Sequence, residues 1–118
     1  MRLNHLHLHV SDRRAAESFY SKWLGMAVMS RGASLTFLSD EEGFDLALMD
    51  DREPIRMPPW FHFGYRLTSA QEVVDVHDRM SNSGVVIVKP LYRDESLVSF
   101  RCADPDGYAI EIYWEEAR

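Results

Sequence analysis

The sequence has a single cysteine, no basic run and no long apolar stretch. Because Cys102 has no partner, no disulfide can form within the chain, which favours a reducing, cytosolic setting. The formal net charge of −6 argues against nucleic acid as the main partner. No apolar run approaches the roughly 18 residues that span a bilayer, and the polar start does not resemble a signal peptide. We therefore expect a cytoplasmic protein that binds neither nucleic acid nor membrane.

Hydrophobic residues make up 46% of the 118 residues, enough for a globular core. Apolar patterns and turn residues divide the chain into two halves with the same order of strand, helix and three strands. We predict a single domain over 1–118, with one module over 1–50 and a second over 60–118. The linker over 51–59 contains three of the five prolines, which break helices and central strands. The predicted fold class is α+β with two βαβββ modules.

Two helices are predicted from their capping residues. The first begins at Asp12 or the residue before it and ends at Gly25, with an apolar stripe at helical spacing between them. The second opens on a capping box formed by Ser69 and Glu72 and closes at Ser83–Gly84.

The opening strand, HLHLHV, alternates imidazole and aliphatic side chains. Strict alternation is the period of a β-strand, so one face carries the imidazoles and the other can pack against a helix. The imidazole face consists of His5, His7 and His9. Imidazoles bind metals and move protons near neutral pH, so this face is a candidate site.

Superposing the two halves adds residues to this candidate site. His5 falls on His62, and Ala47 falls on Glu111. By strand alternation, Arg66 shares a face with His62, and Tyr113 shares a face with Glu111; these four complete the candidate set. Two imidazoles and one carboxylate can hold a divalent ion and leave coordination positions open.

Three segments carry a family resemblance: NHLHLHVSD leading into SFYSKWLGM, FHFGYRL, and DPDGYAIEIYW. With them the chain resembles the vicinal oxygen chelate superfamily, which includes glyoxalase I, fosfomycin-resistance enzymes, bleomycin-resistance proteins and extradiol dioxygenases. The resemblance implies the fold of that superfamily, in which two βαβββ modules form a curved mixed sheet with helices on its outer face. The sheet of the family cups a metal ion.

The resemblance also implies a metal site. His5, His62 and Glu111 match three ligand positions for one divalent ion per site, with Fe(II), Mn, Zn and Ni all open. At the fourth position, where glyoxalase I has a carboxylate, this sequence has Ala47. The set of two histidines and one glutamate is closer to that of extradiol dioxygenases and fosfomycin-resistance enzymes.

Other polar residues near these ligands have functional and structural interpretations. We expect His7 and Tyr113 to be catalytic and Arg66 to bind substrate, although Arg66 is equally suited to a salt bridge. Trp60 is expected to serve packing, and Cys102 to be a buried strand residue without an activated thiolate.

The expected function is that of a metal-dependent enzyme, a dioxygenase or a lyase or isomerase, that binds vicinal oxygens of a small substrate. The alternatives are a bleomycin-resistance-type protein that sequesters a small molecule without catalysis, and a non-catalytic dimeric binding module with vestigial ligands. In short members of the superfamily, halves of different chains commonly pair. The resemblance therefore implies a homodimer with shared sites, in which His5 comes from one chain and His62 and Glu111 come from the other.

Overall fold

A computed structural model describes all residues, 1–118. Its first unit, Met1–Ile55, contains one helix and one four-stranded sheet. The elements are β1 (His5–Val10), α1 (Arg13–Leu24), β2 (Ala27–Arg31), β3 (Leu35–Ser39) and β4 (Asp45–Asp50). The strands lie in the order β1-β4-β3-β2, with β1 and β4 parallel and the other neighbours antiparallel. Alternation in β1 and β4 buries Leu8, Val10, Leu46 and Leu48, and α1 packs against β2, β3 and β4.

The second unit, Arg56–Arg118, repeats this order. Its elements are β5 (His62–Arg66), α2 (Ala70–Asn82), β6 (Ile87–Arg93), β7 (Leu97–Ala103) and β8 (Ala109–Glu115). The strands lie in the order β5-β8-β7-β6, with β5 and β8 parallel. The core consists of α2 residues such as Met80 and the alternating residues Phe100, Ile110 and Ile112 of the sheet. The predicted α+β class with two βαβββ modules is therefore confirmed.

The helix ends follow the predicted caps, with one difference. The Asp12 carboxylate accepts a backbone N–H of the first turn, and Gly25 ends α1 in the left-handed conformation at φ 66°. The Ser69 hydroxyl accepts from the backbone N–H of Glu72 at 3.2 Å. The Glu72 carboxylate, however, accepts from the Thr68 hydroxyl, so the capping box is only half formed. The reason is local: the Thr68 hydroxyl competes for the same carboxylate.

The two sheets share the same register between their parallel strands. The paired residues are His5 with Asp45 and His7 with Ala47 in the first sheet, and His62 with Ala109 and Gly64 with Glu111 in the second. Ala47 therefore occupies in the first sheet the place that Glu111 occupies in the second.

The segment between the last strand of the first sheet and the first strand of the second is irregular. Residues 51–61 contain neither helix nor strand. Neither helix of the chain is long and apolar enough to cross a membrane.

Candidate functional site

One face of the second sheet lies opposite the residues buried under α2, and we call it the open face. It carries His62, Arg66, Ser99, Arg101, Glu111 and Tyr113. On this face, Nε2 of His62 lies 3.8 Å from Oε1 of Glu111, with 31% and 26% of the two side chains exposed. The face thus brings an imidazole and a carboxylate together where an ion or a small molecule can reach both.

Two hydrogen bonds orient this pair. The carbonyl oxygen of Trp60 lies 3.0 Å from Nδ1 of His62, and because a carbonyl only accepts, Nδ1 carries the proton. The lone pair of the neutral ring is then on Nε2, the atom nearest to Glu111. The Ser99 hydroxyl donates to Oε2 of Glu111 at 2.6 Å, which leaves Oε1 for the side of His62. Such outer contacts fix the tautomer and direction of metal-binding side chains.

In the first unit, the three histidines of β1 lie on one exposed face, as the alternation predicted. His5 has its Nδ1 3.0 Å from the side-chain oxygen of Asn4. With the proton on Nδ1, the Nε2 lone pair of His5 is directed away from Asn4 and can bind an ion. His5 and His62 therefore share the same arrangement, in which an oxygen acceptor holds Nδ1.

The other two histidines of β1 differ from His5. Nδ1 of His9 is 2.9 Å from the carboxylate of Asp51, and this hydrogen bond lowers the pKa of Asp51. His9 thus links the end of β1 to the chain that follows β4. His7 lies between His5 and His9, with its ring centre 5.2 Å from that of His9.

Arg66 and Tyr113 are neighbours in the register of β5 and β8. The Arg66 guanidinium donates to the carboxylate of Glu115 at 3.2 Å and to the Glu115 carbonyl at 2.7 Å. The salt bridge that the sequence allowed for Arg66 is present. The substrate-binding role of Arg66 and the catalytic role of Tyr113 stay predictions.

Two expectations about large or reactive side chains have different outcomes. Trp60, which was expected to serve packing, is 74% exposed, and its ring centre lies 6.3 Å from that of Phe61. It lies in the irregular segment just before β5. Cys102 is buried as expected, and burial raises the pKa of its thiol to about 12. The thiol is therefore protonated at neutral pH.

Sequence reasoning missed the polar residues of β7. Ser99 and Arg101 alternate with the buried Val98, Phe100 and Cys102 in the segment LVSFRCA. That alternation was visible in the sequence and assigns the two polar residues to the face of Glu111. Nowhere in the chain do three or more His, Cys, Asp or Glu side chains gather closely enough to hold a metal ion.

Comparisons with known proteins give a consistent result. The sequence profile of the Glyoxalase/Bleomycin resistance protein/Dioxygenase superfamily matches residues 2–112. Uncharacterized protein PA2024 of Pseudomonas aeruginosa is 31% identical over 122 residues, which cover 93% of this chain and 86% of that protein. The structure of a possible glyoxalase from Bacillus cereus is 30% identical, with a TM-score of 0.82 over 95% of this chain and 97% of that one. A glyoxalase/dioxygenase from Nostoc punctiforme, 18% identical, has the same fold with a TM-score of 0.81 over 98% of this chain and 92% of that one.

Proposed function

Because the chain belongs to the Glyoxalase/Bleomycin resistance protein/Dioxygenase superfamily, we propose that it is a metal-dependent enzyme. It acts on a small substrate with two adjacent oxygens, as a dioxygenase or as a lyase or isomerase. The proposed ligands of the divalent ion are His5, His62 and Glu111. The observation that carries the proposal is the oriented pair of His62 and Glu111 on the open face of the second sheet.

The spacing of this pair suits a small divalent ion. Two metal–ligand bonds of about 2.1 Å at a tetrahedral angle separate their donor atoms by about 3.4 Å. The 3.8 Å between Nε2 of His62 and Oε1 of Glu111 is close to that separation. Imidazole nitrogen and carboxylate oxygen atoms bind Fe(II), Mn, Zn and Ni alike. These ligands therefore suit a divalent ion without selecting among the four.

The third ligand belongs to the first unit. His5 has its Nδ1 held by Asn4, and its Nε2 has the free lone pair that coordination needs. In the proposal, His5 is supplied by one chain of a homodimer, and His62 and Glu111 are supplied by the other.

When bound, the ion would act as a Lewis acid on the two oxygens of the substrate. The residues of the chain then have separate tasks. Ser99 holds Glu111 in place, and the Trp60 carbonyl holds His62. His7 and Tyr113 are the proposed proton donors and acceptors, since an imidazole and a phenol can each transfer a proton at a reacting oxygen.

Metal uptake by purified protein tests the ligand set. Chelator-treated protein is supplied with Fe(II), Mn, Zn or Ni, and the bound metal is measured by mass spectrometry. The parent should retain one ion per chain, and His62→Ala and Glu111→Gln should lose it. His77→Gln, on α2, removes an imidazole elsewhere in the same unit and should bind like the parent. If the parent takes up no metal but binds intact small molecules, it is a sequestering protein instead.

Subunit exchange tests whether sites are shared between chains. His5→Ala and Glu111→Ala should each be inactive and bind metal poorly. In a mixed dimer, one site would keep all its ligands and the other would lose two. Free exchange of equal amounts makes half of the dimers mixed, and each mixed dimer has one intact site, so mixing the two variants should restore about a quarter of the sites. A protein that is monomeric at micromolar concentration, or mixtures that exchange subunits without recovery, would rule out the shared site.

A further inference from the structure

Two cationic side chains lie in line with Glu111 across the open face. Neighbouring strands place one residue each in a transverse row: Gly64 on β5, Glu111 on β8, Arg101 on β7 and Lys89 on β6. Since neighbouring strands lie about 4.8 Å apart, Arg101 is one strand and Lys89 two strands away from Glu111. The row combines a candidate metal ligand with two positive charges.

Neither cation has an anionic partner in the chain. Nε of Arg101 is buried and makes no hydrogen bond. Glu111 lies beside Arg101 in the register, but Ser99 binds one of its oxygens and the other lies towards His62. A buried donor without a partner is costly, so the position calls for an acceptor from outside the chain.

A cavity of about 360 Å³ adjoins both cations. Its remaining walls are largely apolar and include Met57, Pro58 and Phe61. Lys89 also lines a second cavity of about 260 Å³, which reaches Ser99 and Glu111. Cavities of about 300 Å³ or more accept small organic ligands. A molecule in the first cavity would thus have its charged end at Arg101 and Lys89 and its apolar part against Met57 and Phe61.

We infer that Arg101 and Lys89 form an anion subsite for the substrate of the proposed enzyme. The ligand is a small amphiphile with a carboxylate or a phosphorus oxyanion, because the guanidinium fork matches both groups in a bidentate manner. The inference rests on the proposed function in one respect: the reacting end of the ligand would lie at Glu111, one strand away from Arg101. The subsite itself needs no metal.

Binding to metal-free protein tests the subsite. Chelator-treated protein is titrated with benzoate, with phenylphosphonate and with neutral benzamide, and followed by nuclear magnetic resonance. At least one of the anions should bind about tenfold more tightly than benzamide, and the stronger of the two identifies the oxyanion. Equal binding of all three compounds would overturn the inference.

The rate of lysine acetylation gives a second measure of anion binding that does not depend on enzymatic activity. Lys22 and Lys89 are the two lysines of the chain. Lys22 lies over the ring of Trp23 in the first unit and serves as an internal control. The stronger-binding anion should slow acetylation of Lys89 and leave Lys22 unchanged. Equal rates at Lys89 with and without a saturating anion would also overturn the inference.

Variants separate the effect of positive charge from that of the bidentate guanidinium group of Arg101. Arg101→Met and Lys89→Met should each weaken anion binding about tenfold or more, whereas Arg101→Lys should keep part of the affinity. Arg79→Met, on α2, removes a cation away from the open face and should bind like the parent. If Arg101→Met does not fold, Lys89→Met and the acetylation rates decide. Metal uptake without anion binding would refute the subsite alone, and anion binding without metal uptake would refute the metal proposal alone.

Discussion

The hydrogen bond from Ser99 to Glu111 allows a quantitative prediction for metal binding. Ser99 is 8% exposed, and its hydroxyl is 2.6 Å from Oε2 of Glu111. In the structure, this contact fixes one carboxylate oxygen and leaves the other at 3.8 Å from Nε2 of His62. Ser99→Ala removes the donor without adding bulk, so the Glu111 carboxylate becomes free to rotate away from His62.

The expected loss follows from the charge of the acceptor. A hydrogen bond to a charged group contributes about 1.5–3 kcal/mol, and each 1.4 kcal/mol is a factor of ten in affinity. Ser99→Ala should therefore weaken metal binding by about 10- to 100-fold, the range found for outer contacts of metal ligands in general. Competition between the protein and a chromophoric chelator, with zinc at pH 7.5, measures the affinity.

Two further variants make this prediction refutable. Ser99→Thr keeps the hydroxyl and should recover most of the affinity, and Ser81→Ala, on α2, should have no effect. If Ser99→Ala binds zinc like the parent while Glu111→Gln does not, Ser99 does not position the carboxylate. If Glu111→Gln also binds like the parent, the ligand set itself is wrong.

Three other predictions follow from single residues. Ala47→Glu should add a fourth protein ligand, tighten zinc binding at least tenfold and lower activity; unchanged binding would show that Ala47 does not face the ion. Burial alone would raise the pKa of Glu17, but hydrogen bonds from Thr36 and Arg31 outweigh it and lower the pKa. This stabilisation is present above the ordinary glutamate pKa of about 4.3 and is lost as the pH falls through the folded pKa. Glu17→Gln should lower the free energy of unfolding by about 1–3 kcal/mol at neutral pH and make the midpoint of urea unfolding less dependent on acid pH. A midpoint equal to that of the parent would show that the carboxylate does not stabilise the fold. Because burial raises the pKa of Cys102 to about 12, a disulfide reagent at pH 8 should modify this thiol only after unfolding, and rapid reaction of the folded protein would contradict the burial.

Local signals in the sequence predicted most of the elements because each signal acts over a few residues. The alternation of HLHLHV fixes the faces of β1, and Asp12 and Gly25 fix the ends of α1. The repeat predicted that Ala47 and Glu111 occupy equivalent places, and the register of the two sheets agrees. These features depend on backbone geometry that the sequence pattern specifies directly.

Two features that depend on contacts between distant residues were not predicted. The register of β6 and β7 shifts twice, between Ile87 and Lys89 and between Lys89 and Tyr92. No local sequence pattern predicts such bulges, although they determine which residue of β7 pairs with Lys89. The contact of Ser99 with Glu111 joins residues twelve positions apart on different strands, so it required the sheet to be known.

The two units use equivalent positions for different chemistry. In the first sheet, the transverse row that corresponds to Gly64, Glu111, Arg101 and Lys89 contains His7, Ala47, Phe37 and Ser30. This row has no permanent charge, and Phe37 is 44% exposed. In the proposed enzyme, the second unit would therefore supply two of the metal ligands and the anion subsite, and the first unit would supply His5 and the proton-transferring imidazole of His7. A substrate held at Arg101 and Lys89 would be oriented by the second unit alone, so removing Glu111 should abolish metal uptake while leaving anion binding intact.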